Sequence, residues 1–241
     1  MREPIFQYRI TNYDRSIVPS RFIAFLDDGI IDNEDWVSRS GYSLGHPGWG
    51  WVYHSILMLL DAERPNVVVE TGTNVGSTAI LIAQAILDSG RQGVLHTIEL
   101  DPDVHEEARR RFDLAGVSSV ITAYCGDSLQ VLPEVVSQVD EIAVAFLDGN
   151  HLHDHVVQEF EILADRVRQD GVVIFDNTSL IAEPGEDPRV NGALRTIMSR
   201  HGGNLVNFPF CSWYTPGIAI WQRQAFEDME PPAPGSFPSR I

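Results

Sequence analysis

The chain lacks several features around which a protein can be organised. No uninterrupted apolar run approaches the roughly 20 residues that cross a bilayer, although apolar residues make up 44% of the 241, so no helical membrane span is expected. The opening residues, MREPIFQYRITNYDR, contain no continuous apolar stretch of the secretory kind, and a cytoplasmic setting is expected. Only two cysteines occur, Cys125 and Cys211. They stand far apart within apolar segments, which argues against a disulfide framework and predicts buried thiols in a reducing compartment. Basic residues are scarce as well: 17 Lys and Arg face 34 Asp and Glu, a net charge of −17. That balance opposes nucleic acids and anionic membranes as partners and suits cationic ligands or metal ions, while most of the surplus carboxylates belong on solvated faces. Internal repeats and interdomain linkers are missing too, and one core is expected.

What the chain does have is the stretch VVVETGTNVGSTA, residues 67–79. Val67, Val68 and Val69 read as a strand apolar on both faces, and AILIAQAIL, ending at Leu87, reads as a helix packed on it. Between them, Gly72 permits a tight turn. Gly76 lets the helix start close to the strand or to a ligand, so that backbone N–H groups can meet a small molecule.

Further strands alternate with helices along the chain. VLHTIEL ends at Glu99, VITAYC is followed by Gly126-Asp127-Ser128, IAVAFLD ends at Asp148, and GVVIFDN carries Asp176 and Asn177. Helices are predicted from Trp51, from Asp101-Pro102 to Gly116, after Ser128 to about Gln138, over His151–Arg168 on the spacing of Val156, Phe160, Leu163 and Val167, and near Asn191–His201. NLVNFPF and GIAIWQ read as a closing antiparallel pair. This order predicts an α/β fold: a doubly wound, mostly parallel Rossmann-like sheet of about seven strands, whose ligands bind beyond the carboxyl ends of the strands. Residues 1–48, including GYSLGHPGWG, read as an N-terminal cap, 49–225 as the ligand-binding domain and 226–241 as an extended proline-rich tail.

The polar signals gather at the predicted strand ends: Glu70, Glu99, Asp127, Asp148 and Asp176. Any one of them can be a helix cap, but five in series point to a site. Glu99 follows Gly76 at about the distance, roughly 20 residues, at which an acid holds ribose hydroxyls in nucleotide-binding sheets. The glycine pattern E-x-G-x-x-x-G lacks the G-x-G-x-x-G of a pyrophosphate cradle, which favours an adenosine ligand without phosphates. Asp148, Asp176 and Asn177 form a hard-oxygen set suited to Mg²⁺ or another divalent cation, with loop capping as the structural alternative. His153 and His155 do not share one helix face with His151 and read as exposed or helix-starting residues rather than zinc ligands. Trp49, Trp51, Trp213 and Tyr214 are candidates for a substrate pocket wall.

Through VVVETGTNVGSTA, HTIELDP and CGDSLQVLP the chain resembles the class I S-adenosylmethionine-dependent methyltransferases over about residues 50–222. The resemblance implies that Glu70, Gly72, Thr73, Gly76 and Ser77 surround the methionine portion of the cofactor. It implies further that Glu99 holds the ribose hydroxyls, and that Asp127 and Ser128 face the adenine. DGNH at Asp148–His151 and DNT at Asp176–Thr178 resemble the paired motifs of cation-dependent O-methyltransferases of the catechol and caffeoyl-coenzyme A type. A DGxH element is also found in bacterial relatives of the enzymes that methylate macrolide sugars. The resemblance implies a metal on Asp148, Asp176 and Asn177, with Asp148 also against the cofactor, and an acceptor that is a catechol, sugar or natural-product diol. His151 stands where the catechol type carries a lysine base. An imidazole is a competent substitute near neutral pH. The expected activity is S-adenosylmethionine-dependent O-methylation of a small molecule, with a metal-independent transferase or a non-catalytic metabolite-binding module as alternatives. Self-association is left open.

Overall fold

The computed structural model describes residues 47–178, 182, 184–208 and 217–223. Helix α1 (Pro47–Leu59) precedes β1 (Asn66–Thr71), α2 (Ser77–Ser89), β2 (Gly93–Glu99) and α3 (Pro102–Ala115). Then come β3 (Ile121–Cys125), α4 (Ser128–Gln138), β4 (Ile142–Leu147), α5 (His153–Ala164) and β5 (Val167–Asp176). Helix α6 (Arg189–His201) leads into β6 (Asn204–Phe208) and β7 (Ile218–Gln222). The seven strands form one sheet in the order β3-β2-β1-β4-β5-β7-β6. Strands β1 to β5 are mutually parallel where they pair, and β7 runs antiparallel to both β5 and β6.

Strand alternation divides the core. Val68, Val144 and Ile174 face α1, α2 and α3 in one buried cluster, whereas Val69, Ala145, Val173 and Phe175 face α4, α5 and α6 in another. Strands clothed on both sides need apolar residues at successive positions, and all six residues of β4 are accordingly buried. Phe160 of α5 ties this second layer together, edge-on to Trp221 of β7 at 4.8 Å and stacked on Phe175 at 6.0 Å.

Several boundaries differ from the sequence expectation. The helix expected over His151–Arg168 ends at Ala164, and Val167 and Arg168 open β5, with Val167 paired to Ile142. Val167 satisfies the helical spacing of Val156, Phe160 and Leu163, but it is equally buried as a strand residue, and periodicity does not separate the two. Helix α1 starts at Pro47, so part of the glycine-rich stretch assigned to the cap is helical. Proline has its φ preset for the first turn. Cys125 is exposed at the end of the edge strand β3, against the expectation of a buried thiol. Cys211, Trp213 and Tyr214, the tail and most of the N-terminal cap lie outside the described residues, as do the side chains of Trp49 and Trp51. Among the described residues no helix is long and apolar enough to cross a membrane.

Candidate active site

The carboxyl ends of β1, β2 and β4 and the turn after β3 open onto a cavity of about 830 Å³. Its walls come from Gly72 and Asn74 after β1, Glu99 and Leu100 after β2, Asp127 and Ser128 at the start of α4, and Asp148 to His151 after β4. His155 and Arg189 complete it from α5 and α6.

The first turn is held by backbone contacts. The Gly72 and Thr73 amides both donate to the Ile98 carbonyl, at 3.0 and 3.1 Å. Gly72 takes φ +82°, and a Cβ there would lie 2.2 Å from the Asp148 carbonyl oxygen, so only glycine fits beside β4. At Gly76, expected to let the helix start close to the strand or to a ligand, a Cβ would strike the Phe112 ring at 2.5 Å, so the glycine admits α3 to the start of α2. Glu70, Thr73, Gly76 and Ser77 do not line the cavity. Glu70 is wholly buried, its Oε2 accepting from Thr97 Oγ1 at 2.5 Å, and Thr73 Oγ1 lies 2.5 Å from the same hydroxyl. Burial pushes the Glu70 carboxyl up to about 8.

Glu99 and Asp127 do line it. Glu99 accepts from the Asn74 amide at 2.7 Å and the Asp101 amide at 3.0 Å, which fixes its carboxylate at the cavity edge. Asp127 caps α4 by accepting from the Leu129 amide at 3.0 Å, so the capping and site readings of this residue coexist. Beside it, Ser128 Oγ donates to Glu159 Oε1 at 2.6 Å and lies 2.9 Å from His155 Nε2. His155 stands in the first turn of α5, as expected of a helix-starting residue, and is in addition bonded into the cavity wall. His153 does start α5, with Nε2 2.9 Å from Thr196 Oγ1.

Asp148 and His151 line one end of the cavity; Asp176 and Asn177 do not line it but stand against those two residues. His151 Nε2 is 2.8 Å from Asn177 Nδ2 and 3.3 Å from Asp148 Oδ1. Burial pushes the Asp148 carboxyl up to about 7 and, with the Asp148 charge added, the Asp176 carboxyl up to about 8. Burial also holds His151 below the ordinary imidazole value, so its neutral form dominates at neutral pH. Asp176 Oδ1 is buried without a hydrogen-bond partner among the described residues. Two crowded carboxyls, one with an orphan oxygen, and an adjacent amide are a donor set that a hard divalent cation fits. Among the described residues no three His, Cys, Asp or Glu side chains have a metal-binding arrangement, and the third oxygen of this set belongs to an amide.

Sequence reasoning missed Glu159, Arg189 and the bonding of His155. Glu159 follows His155 by four positions on α5, a spacing that places both on one helix face and was readable. Arg189 reaches the cavity from beyond β5, and its local sequence carries no signal for that.

A doubly wound sheet of this order, with the cavity at its carboxyl edge, defines a class I methyltransferase. Residues 69–178 match a family model described as a methyltransferase domain. The catechol O-methyltransferase of Sus scrofa is 30% identical over 141 residues, covering 57% of this chain and 73% of the relative. That of Niastella koreensis is 25% identical over 190 residues, covering 73% of this chain and 79% of the relative. Among solved structures, the O-methyltransferase TomG from Streptomyces achromogenes, in complex with SAM, shares the fold. The TM-score is 0.66 at 18% identity, covering 91% of this chain and 100% of that one. This chain belongs to the S-adenosylmethionine-dependent O-methyltransferases of the catechol O-methyltransferase type.

Proposed function

We propose that the enzyme methylates one hydroxyl of a small diol, whether catechol, sugar or natural product, with Mg²⁺ held by Asp148, Asp176 and Asn177. The observation that carries this reading is the clustering of those three residues with His151, of which Asp148 and His151 line the cavity, while Asp176 Oδ1 has no hydrogen-bond partner among the described residues. When bound, the cation supplies Lewis-acid chemistry that lowers the pKa of the acceptor hydroxyl.

The chain's own residues do the rest. Glu99 holds the ribose hydroxyls of S-adenosylmethionine, Asp127 and Ser128 face its adenine, and the Gly72 turn carries the methionine portion past Asp148. Glu70, Thr73, Gly76 and Ser77 support that turn from behind. His151 takes the acceptor's proton at Nε2, the nitrogen turned towards Asn177 and Asp148. The oxygen attacks the methyl carbon as the carbon–sulfur bond breaks, leaving S-adenosylhomocysteine. Orientation of donor and acceptor supplies most of the acceleration. Residues 49–225 form the catalytic domain, flanked by a cap and a tail. The acidic surface fits a small-molecule acceptor in the cytoplasm rather than a nucleic acid or membrane.

The test is a calorimetric titration with S-adenosylmethionine, with and without Mg²⁺, followed by turnover of catechols and glycosides after chelation. Binding of the cofactor with turnover that needs Mg²⁺ supports the reading. A metal-independent transfer has one observation in its favour: Asn177 turns Nδ2, not its oxygen, towards Asp176 at 3.5 Å. Full activity in chelator selects that mechanism, and cofactor binding without turnover of any acceptor selects a metabolite-binding module.

A further inference from the structure

Arg189 is the only Arg or Lys among the described residues that line the cavity, and methyl transfer itself gives it no task. Its position is unfavourable on two counts. It takes φ +55°, a left-handed conformation that non-glycine residues adopt at a cost, and it opens a helix, where the dipole disfavours a cation. Its backbone amide donates to Asp187 Oδ1 at 2.7 Å, and the same oxygen accepts from the His153 amide at 2.9 Å. Among the described residues the guanidinium itself has no hydrogen bond or close ion pair. It lines the same cavity as His151.

Charge balance indicates what it meets. S-adenosylmethionine carries a sulfonium, an ammonium and a carboxylate, a net positive charge that complements Glu99, Asp127 and Asp148. Arg189 is exposed at the cavity mouth, and a neutral diol in the cavity offers its guanidinium no charge to pair with. A carboxylate on the acceptor returns a charge-assisted, bidentate pair, the geometry for which a guanidinium is built.

We infer that Arg189 is a specificity-determining residue that selects acceptors bearing a carboxylate in addition to the hydroxyl that is methylated, a dihydroxybenzoate being the simplest. The inference rests on the O-methyltransferase reading of the cavity.

The experiment titrates the full chain, loaded with S-adenosylhomocysteine and Mg²⁺, with 3,4-dihydroxybenzoate and with 3,4-dihydroxybenzyl alcohol. Wild type, Arg189→Gln and Arg189→Lys are compared. Expected is an acid bound at least tenfold more tightly than the alcohol by wild type, a ratio near one for Arg189→Gln, and partial recovery for Arg189→Lys. An acid that binds no more tightly than the alcohol, or a ratio unchanged in Arg189→Gln, overturns the inference. A fall in S-adenosylhomocysteine affinity as large as that for the acid also overturns it, by assigning the guanidinium to the donor's carboxylate. Turnover with S-adenosylmethionine is read separately. If neither diol is methylated, the acceptor reading fails and the inference with it. If both are methylated at equal kcat/KM and Arg189→Gln leaves that ratio alone, only the inference fails.

Discussion

Gly72 and Asp148 meet backbone to backbone: a Cβ on the glycine would sit 2.2 Å from the Asp148 carbonyl oxygen and 2.6 Å from its carbon. The Asp148 amide in turn donates to the Thr71 carbonyl at 3.1 Å. The turn after β1 and the end of β4 are therefore held against each other by backbone contacts. Gly72→Ala forces the strands apart and demands a positive φ of alanine, and a loss of about 3 kcal/mol is expected in urea unfolding. Turnover should fall with it, because the shift moves donor and acceptor sides relative to each other.

Asp176→Asn separates stability from activity. The wild-type carboxyl is buried against Asp148 with an oxygen unpartnered among the described residues, an arrangement that destabilises the folded chain without a cation. The amide removes the repulsion. The thermal midpoint measured in chelator is expected to rise by a few degrees, about what a gain of 1 kcal/mol produces. Turnover in Mg²⁺ is expected to fall by about 10² or more. An unchanged turnover number counts against Asp176 as a ligand.

His151→Ala tests the base. Because burial holds the imidazole below its ordinary 6.5, the acid limb of kcat/KM in wild type should lie below that value at saturating Mg²⁺. The alanine variant should lose about 10²–10⁴ in rate, and its profile should lose that limb. A variant whose profile matches wild type excludes the role.

Glu70 gives the protein a pH-dependent stability that can be isolated. Its carboxyl titrates near 4.5 in the unfolded chain and is pushed up to about 8 in the fold. Between those values the native state binds more protons than the unfolded one, so stability is fully present below 4.5 and is lost as pH rises through 8. Glu70→Gln keeps an acceptor for Thr97 and cannot ionise. Its thermal midpoint relative to wild type should therefore climb steadily from pH 5 to pH 8.5, and a constant offset would show that Glu70 does not carry the effect.

Much of this was legible in the chain. Runs such as IAVAFL are apolar at every position because both faces of the strand are covered, so the fold class followed from composition and alternation. The gathering of Asp148, Asp176 and Asn177 followed from the same logic, since parallel strands deliver their last residues to one edge. What did not follow is whatever depends on side-chain direction between elements. The packing of Phe112 against Gly76 was not legible, because the sequence does not show which ring meets the start of α2. Val167 looked helical because it satisfies both periods. Arg189 was invisible because its relevance arises only when α6 packs beside α5.

The register of β1 carries a kinetic consequence. Thr71 pairs with Ile98 in the neighbouring β2, but also with Leu147 in β4, far along the chain, and β4 in turn carries β5 and Asp176. Loop closure over such a span is slow compared with the formation of any single helix. During refolding, helical signal should therefore return well before cofactor binding, and the recovery of binding times the docking of the three central strands.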